Sequence, residues 1–287
     1  MLVLGAGASN PYGFPLGADL KNSIVATQKP MLEHELRVLH YDNATITEFR
    51  DALRYGSHAT IDIFLERKTN FREIGAYFIA EAISRCESHD ALFSRQDWYA
   101  DLFRLLGLET LGGEMPDVSI VTLNYDRSLE HFLAKNIDYN CPHELVERAH
   151  ERRKSLKIVH AHGSLGPYPE TMYGSASGHS ESLRRAAESI RIVSDRLDES
   201  PDFRAAQGLV AQAKHVVFLG FGYNDRTLLA LLSGVDREQT QFYGTAMNLS
   251  GESKQSVSEF FHNNIILGPV NQGSAAFLKD TLLQTRL

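Results

Sequence analysis

The sequence predicts an α/β fold, a mostly parallel sheet with helices on both faces and an α-helical insertion. Three observations predict it. Short apolar runs recur along the chain, several of them stop at glycine-rich or polar turns, and stretches of helical periodicity separate them. A parallel return needs a crossover connection, so strands alternating with helices indicate βαβ units.

The first run, Met1-Leu2-Val3-Leu4, is wholly apolar, as expected of a parallel strand buried on both faces, and ends in the turn Gly5-Ala6-Gly7-Ala8-Ser9. A strand that opens on the first residue suggests a natural chain that starts a few residues earlier. From about Lys29 to Leu111 the pattern is helical. Ile61, Phe64, Leu65, Phe71, Ile74, Phe78, Ile79 and Ile83 fall at three-to-four spacing and predict one long amphipathic helix. Leu32, Leu36 and Leu39, and then Trp98, Leu102, Leu105 and Leu106, mark further helices. Strand-like runs return over residues 118–123, 157–160, 215–219, 242–246 and 265–267. Leu183, Ala187, Ile190, Val193 and Leu197 predict another helix across 180–197, placed to cover a site at the sheet edge. The expected organisation is discontinuous: residues 1–28 and 116–287 form a Rossmann-like sheet domain, and 29–115 form the α-helical insertion. No repeat, heptad array or low-complexity linker interrupts it.

At 287 residues the chain is long enough for one elaborated domain or two modest ones. Its 29 Lys and Arg against 36 Asp and Glu leave a net charge of −7, which gives no support for direct nucleic-acid binding. Cys86 and Cys141 stand alone, so neither a disulfide framework nor a four-cysteine zinc site is expected. No signal segment or long apolar run is present, and a cytoplasmic protein without a membrane span is expected.

Four segments carry polar or glycine-rich residues to expected strand ends, where open α/β sheets bind ligands. In the first, Gly5, Ala6, Gly7, Ala8 and Ser9 would let backbone N–H groups approach a pyrophosphate, or would simply make a tight strand-to-helix turn. It is not a full G-x-G-x-x-G fingerprint, and no acidic residue follows about 20 positions on, which disfavours a nicotinamide dehydrogenase. In Thr122-Leu123-Asn124-Tyr125-Asp126, Asn124 and Asp126 either meet a ligand or cap the following helix. His160 and His162 follow the next strand. They could share a metal, yet no third ligand is evident, so His162, just before Gly163, is expected as a general base unless it is a hydrogen-bonded turn residue. Gly220-Phe221-Gly222-Tyr223-Asn224-Asp225 makes a second glycine turn that either touches a nucleotide or caps the next helix.

This ordered set of motifs resembles the sirtuin superfamily, particularly its sirtuin-like NAD hydrolases of prokaryotic anti-phage immunity. The resemblance implies that the sheet domain binds NAD as a substrate and that the nicotinamide–ribose bond is cleaved to give nicotinamide and ADP-ribose. It implies Asn124, His162 and Asp126 as catalytic residues, with Asn124 and Asp126 facing the nicotinamide ribose and Thr122 among the residues that bind NAD. Gly5, Ala6, Gly7, Ala8 and Ser9 would hold the pyrophosphate, and Gly220, Gly222, Tyr223 and Asn224 the adenosine side. The sequence departs from the deacylases of that superfamily. It lacks their zinc module, reads Gly13-Phe14-Pro15-Leu16-Gly17-Ala18 where they carry Gly-Ile-Pro-Asp-Phe-Arg, and places Leu123 where they carry Gln. The chemistry implied is therefore hydrolysis, with no zinc. The alternatives are a noncatalytic NAD or ADP-ribose binding assembly module and a protein ADP-ribosyltransferase. The resemblance also implies an NAD-depleting role in abortive infection, a homo-oligomer, and activation by a partner ATPase, helicase or Argonaute-type protein.

Overall fold

Six of the apolar runs form strands in the computed structural model, which describes residues 1–26, 29–95, 97–176, 180–192, 200–223 and 225–285. The strands are β1 Leu2–Leu4, β2 Ser119–Thr122, β3 Lys157–His160, β4 His215–Leu219, β5 Gln241–Gly244 and β6 Ile265–Leu267. All pairs are parallel, and the order across the sheet is β3-β2-β1-β4-β5-β6. The Rossmann-like α/β expectation is met. The order reverses between β1 and β4, so the crevice expected at such a switch point lies beside Gly5 and Gly220, the residues that follow those two strands.

The helices before β2 are α1 Ala6–Ser9, α2 Gly17–Ala26, α3 Pro30–Val38, α4 Asn43–Tyr55, α5 Ile61–Arg67, α6 Arg72–Ser84, α7 His89–Phe93 and α8 Trp98–Leu105. Those after it are α9 Ser128–Asn140, α10 Val146–Ser155, α11 Ser180–Ser189, α12 Pro201–Gln212, α13 Asp225–Leu231, α14 Gly251–Phe260 and α15 Ser274–Thr285. Alternation of side chains along each strand makes two cores. Val3, Val121, Val216, Phe218 and Phe242 point to one face, where Phe203 of α12, Leu228 of α13 and Phe261 pack on them. Leu2, Leu4, Ile120, Val217 and Leu219 point to the other. There they join Phe49, Phe64, Phe78 and Trp98 in a single core, so the helices between β1 and β2 are packed onto the sheet rather than held apart from it. Leu20 and Ile24 of α2 are in the same core.

The single long helix expected across 61–83 is instead two helices. α5 stops at Arg67, a 3₁₀ turn spans Thr69–Phe71, and α6 begins at Arg72. The break lets Phe71 turn into the core against Phe64, ring centroids 5.9 Å apart, and lets the Arg72 Nε donate to the Leu65 carbonyl at 3.2 Å, satisfying an orphaned helix-end acceptor. At Gly75 an added Cβ would come within 2.6 Å of both Leu65 methyls, so the missing side chain sets the close approach of α5 to α6. Ile74 through Ser84 are all buried; α6 is a central helix rather than an amphipathic surface one. The helix expected across 180–197 is described over Ser180–Ser189, and the Val193 and Leu197 part of that expectation lies outside the described residues. Among the described residues no helix is long and apolar enough to cross a membrane.

Candidate active site

The two glycine turns meet backbone to backbone. The Gly5 N–H donates to the Leu219 carbonyl at 3.0 Å, and the Gly7 N–H donates to the Gly220 carbonyl at 2.9 Å. A Cβ on Gly5 would lie 2.6 Å from the Gly220 oxygen, and one on Gly7 would lie 2.8 Å from Gly220 Cα, so both positions exclude a side chain. Gly220 itself has φ +58°, the left-handed region that glycine enters at little cost. The glycines of the first turn are thus required by its packing on the second. Three of its N–H groups, those of Gly5, Gly7 and Ala8, are occupied inside the protein, which leaves Ala6 and Ser9 as the more available parts of the turn.

A cavity of about 390 Å³ opens at this switch point, within the range of small-molecule sites. Gly5, Ala6, Ser9, Asn124, Asp126, His162 and Gly222 line it. Gly7, Ala8, Thr122, Gly220 and Tyr223 do not. Thr122 is buried, and its Oγ1 accepts from the Asn124 N–H at 3.1 Å. Tyr223 donates from its hydroxyl to the Thr245 carbonyl at 3.0 Å, which anchors the second turn to the end of β5. Asn224 lies outside the described residues.

Asn124 has a fixed orientation. Its Nδ2 donates to the Gly5 carbonyl at 3.0 Å and to Ser9 Oγ at 2.9 Å. A carbonyl can only accept, so the amino group must face Gly5, and Oδ1 is left as a free acceptor on a residue that lines the cavity. His162 is 7% exposed. Burial lowers its pKa, against the opposing pull of the Asp62 charge and a hydrogen bond to the Leu123 backbone. Nε2 is buried and without a partner, so the bond to Leu123 is made by Nδ1–H. Burial thus favours the neutral imidazole, in which the unpartnered Nε2 is the proton acceptor. Its ring lies parallel to Phe203 of α12, centroids 6.3 Å apart.

Asp126 belongs to the layer beneath. Its Oδ1 accepts from the Ser128 N–H at 3.1 Å and from the Ser128 hydroxyl, and a hydrogen bond with Ser9 joins it to Asn124. Burial raises the Asp126 pKa, and these hydrogen bonds pull against it. The Tyr99 and Ser128 hydroxyls pair at 2.7 Å, Tyr99 stacks on Tyr12 with centroids 3.8 Å apart, and Trp98 Nε1 donates to the Ala8 carbonyl at 2.9 Å. The expected choice between cap and site thus has a mixed outcome: Asp126 satisfies the first amide of α9 and also lines the cavity.

His160 and His162 do not converge. β3 ends at His160, so strand alternation does not extend to His162. His160 is held by the Asn124 carbonyl at 2.9 Å and by Glu130 at 2.6 Å. Burial opposes its protonation, but the Glu130 carboxylate, together with the Asn124 carbonyl and the Asp126 charge, raises its pKa. His160 thereby fixes the backbone of Asn124. Among the described residues no group of three or more His, Cys, Asp or Glu side chains is arranged to hold a metal ion.

The far wall of the cavity comes from the chain between β1 and β2, and sequence reasoning missed it. Phe14, Thr60, Asp62, Ile63 and Glu66 line this wall, and Tyr125 joins them from the end of β2. Tyr125 donates from its hydroxyl to Asp62 at 2.7 Å, and Glu66 pairs with Arg226 of α13. Phe14 is 2% exposed, so the wall carries an aromatic even though the segment departs from the deacylase pattern. One signal was available. Thr60 caps α5 by accepting from the Ile63 N–H, and Asp62 and Glu66 lie four residues apart, off its apolar stripe.

Residues 118–264, more than half of the chain, match the SIR2-like domain. The chain belongs to the SIR2-like family. No curated protein matches it. The SIR2-like match begins at the end of the helical layer and includes Asn124, Asp126, His162 and Gly220, while Gly5, Ser9 and Asp62 lie before it. SIR2-like membership implies an NAD-related function, and the cavity lies at the switch point of the sheet.

Proposed function

We propose that this SIR2-like protein is an NAD⁺ hydrolase that cleaves the nicotinamide–ribose bond and releases nicotinamide and ADP-ribose. The observation that carries the reading is that His162, whose buried Nε2 has no partner, and Asn124, whose Oδ1 is free, line one cavity. Two acceptors held in fixed positions suit a reaction in which hydroxyl and water protons must be oriented. Asn124 Oδ1 orients a ribose hydroxyl or the attacking water. His162 Nε2 takes the proton that this water loses as its oxygen bonds to the ribose carbon, and returns it to solvent. The electron pair of the broken carbon–nitrogen bond stays with nicotinamide, which leaves neutral. Asp126 acts through Ser9 and Ser128 to hold Asn124 and α9 in place, and Ala6, Ser9 and Gly222 contact the rest of the nucleotide.

The biological setting rests on the resemblance to immune NAD hydrolases: an NAD-depleting effector of anti-phage defence in the cytoplasm, working as a homo-oligomer and released by a partner ATPase, helicase or Argonaute-type protein. The test is release of nicotinamide and ADP-ribose from NAD⁺ by wild type and His162→Ala over a range of protein concentrations. Both products from wild type alone support hydrolysis. Labelled ADP-ribose left on protein would indicate a transferase instead. NAD⁺ binding with no turnover at any concentration, with the expected partner or without it, would leave a binding module.

A further inference from the structure

We propose that Asp62 is a specificity-determining residue that selects a cationic group in the ligand, the pyridinium of an oxidised nicotinamide nucleotide. The proposal rests on the hydrolase reading above and deepens it. Ile61, Phe64 and Leu65 of α5 are buried in the core, so helical periodicity turns Asp62 and Glu66 the other way, onto the cavity. The two carboxylates have different surroundings. Glu66 is neutralised by Arg226. Asp62 has no cationic partner among the described residues; its Oδ1 accepts from the Tyr125 hydroxyl at 2.7 Å, and its other oxygen is free. Phe14, Ile63, Ile83 and Phe221 make much of the surrounding wall apolar. A carboxylate in such a wall lacks a counter-charge, and a ligand that supplies one is favoured over a neutral ligand of the same shape.

The placement fits the bond to be broken. Tyr125 directly follows Asn124 in sequence and holds Asp62 at the end of the cavity that carries Asn124 and His162. The Asp62 charge reaches His162, where it opposes the effect of burial on the imidazole. The same charge would repel a pyrophosphate. The anionic part of the ligand is therefore directed away from α5, and the nicotinamide end toward it.

The test compares the binding of NAD⁺, NADH and ADP-ribose to the full chain carrying His162→Ala, which prevents turnover, with and without Asp62→Asn. NADH differs from NAD⁺ at the ring by one hydride and therefore by the positive charge. Asp62→Asn is expected to lower the NAD⁺ preference over NADH about tenfold, with ADP-ribose affinity kept as proof of an intact fold. Tyr125→Phe, which frees the carboxylate without removing its charge, should change the preference less. With His162 restored, Asp62→Asn should raise the KM for NAD⁺ by about tenfold with a smaller effect on kcat, because the carboxylate meets a charge that the bound substrate already carries. An unchanged NAD⁺/NADH ratio in Asp62→Asn overturns the proposal and leaves the hydrolase reading standing. Failure of the Asp62-intact chain to bind any of the three nucleotides overturns both.

Discussion

Asn124 Nδ2 donates to the Gly5 carbonyl at 3.0 Å, across 119 residues of sequence, and this bond ties the end of β2 to the turn after β1. The Asn124 side chain therefore has two functions: its amino group holds the turn and its oxygen serves the cavity. Asn124→Asp separates them. It keeps the oxygen, removes both donated bonds and sets a carboxylate against the Gly5 carbonyl. The expected loss is about 1–3 kcal/mol of stability, from the two lost hydrogen bonds and the carboxylate facing a carbonyl, together with loss of nicotinamide release. Asn124→Ala should also lose activity. Urea denaturation and nicotinamide release measured on the same preparations check both parts. Full activity in Asn124→Ala would remove Asn124 from the mechanism.

The acid limb of the activity profile should report His162. Its pKa is lowered from 6.5 by burial, so the neutral, proton-accepting form already predominates at pH 6.5. kcat/KM should approach its plateau around neutral pH and fall on the acid side, with a midpoint below 6.5. Asp62 opposes that lowering, so Asp62→Asn should move the limb to still lower pH. A limb centred above 6.5 would contradict a neutral His162 at physiological pH.

Stability should respond to pH through His131, which burial and then the neighbouring His89, Lys135 and Arg127 charges hold down to about 4. Its Nε2 faces His89 Nδ1 at 3.0 Å, and its ring stacks on Tyr173 with centroids 4.1 Å apart. Between about 4 and 6.5 the unfolded chain binds a proton that the folded chain refuses, so stability is present above that window and is lost as pH falls through it. His131→Phe keeps the ring and removes the titration. The slope of unfolding free energy against pH in this window should shrink by about one proton. Equal slopes would mean that His131 protonates in the folded state as readily as in the unfolded one.

Sheet and site were legible to different degrees. The strands announced themselves because they are apolar on both faces, and the turns after β1 and β4 because backbone contact there excludes side chains, as at Gly7 and Gly220. Asn124, Asp126 and His162 were visible because polar residues at strand ends are placed by the sheet alone. Asp62 was not. Its position depends on α5 ending at Arg67 and folding back along α6, and that break is driven by Phe71 packing on Phe64 and by Gly75 beneath Leu65, contacts that leave the apolar spacing looking continuous. The glycines of the first turn were legible as a turn; that their N–H groups bond to the end of β4 and to the second turn is a tertiary fact.

Gly220→Ala should be among the most damaging single-methyl additions to the chain. The new Cβ would fall on the Ala8 nitrogen and within 2.6 Å of Gly7 Cα, both backbone atoms that cannot rotate away. Left-handed φ adds about 1–2 kcal/mol and forced separation of the turns about 1–3 kcal/mol. A thermal shift matching a loss of about 2–5 kcal/mol is expected. Gly208→Ala serves as the control, because a Cβ there meets nothing within 4 Å. A Gly220→Ala protein as stable as Gly208→Ala would show that the two turns are not in contact as described.

Arg127 and Glu87 make the most deeply buried ion pair described, at 1% and 0% side-chain exposure. Arg127 follows Asp126 directly, and its guanidinium donates to both Glu87 oxygens and to the Thr171 carbonyl at 2.7 Å, while Glu87 also accepts from the Gly174 N–H at 2.8 Å. One pair thus joins the chain after α6, the start of α9 and the segment after His162. Removing either partner alone leaves an uncompensated buried charge, so Arg127→Met is expected to cost about 3–5 kcal/mol. Arg127→Met with Glu87→Gln removes both charges and should recover a large part of that loss. Nicotinamide release should return with stability in the double variant, because neither side chain lines the cavity. Equilibrium denaturation of the two single variants and the double variant measures the coupling. Additive losses would show that the pair does not act as a unit, and a stable double variant without activity would show that Arg127 positions Asp126 through its charge rather than through packing.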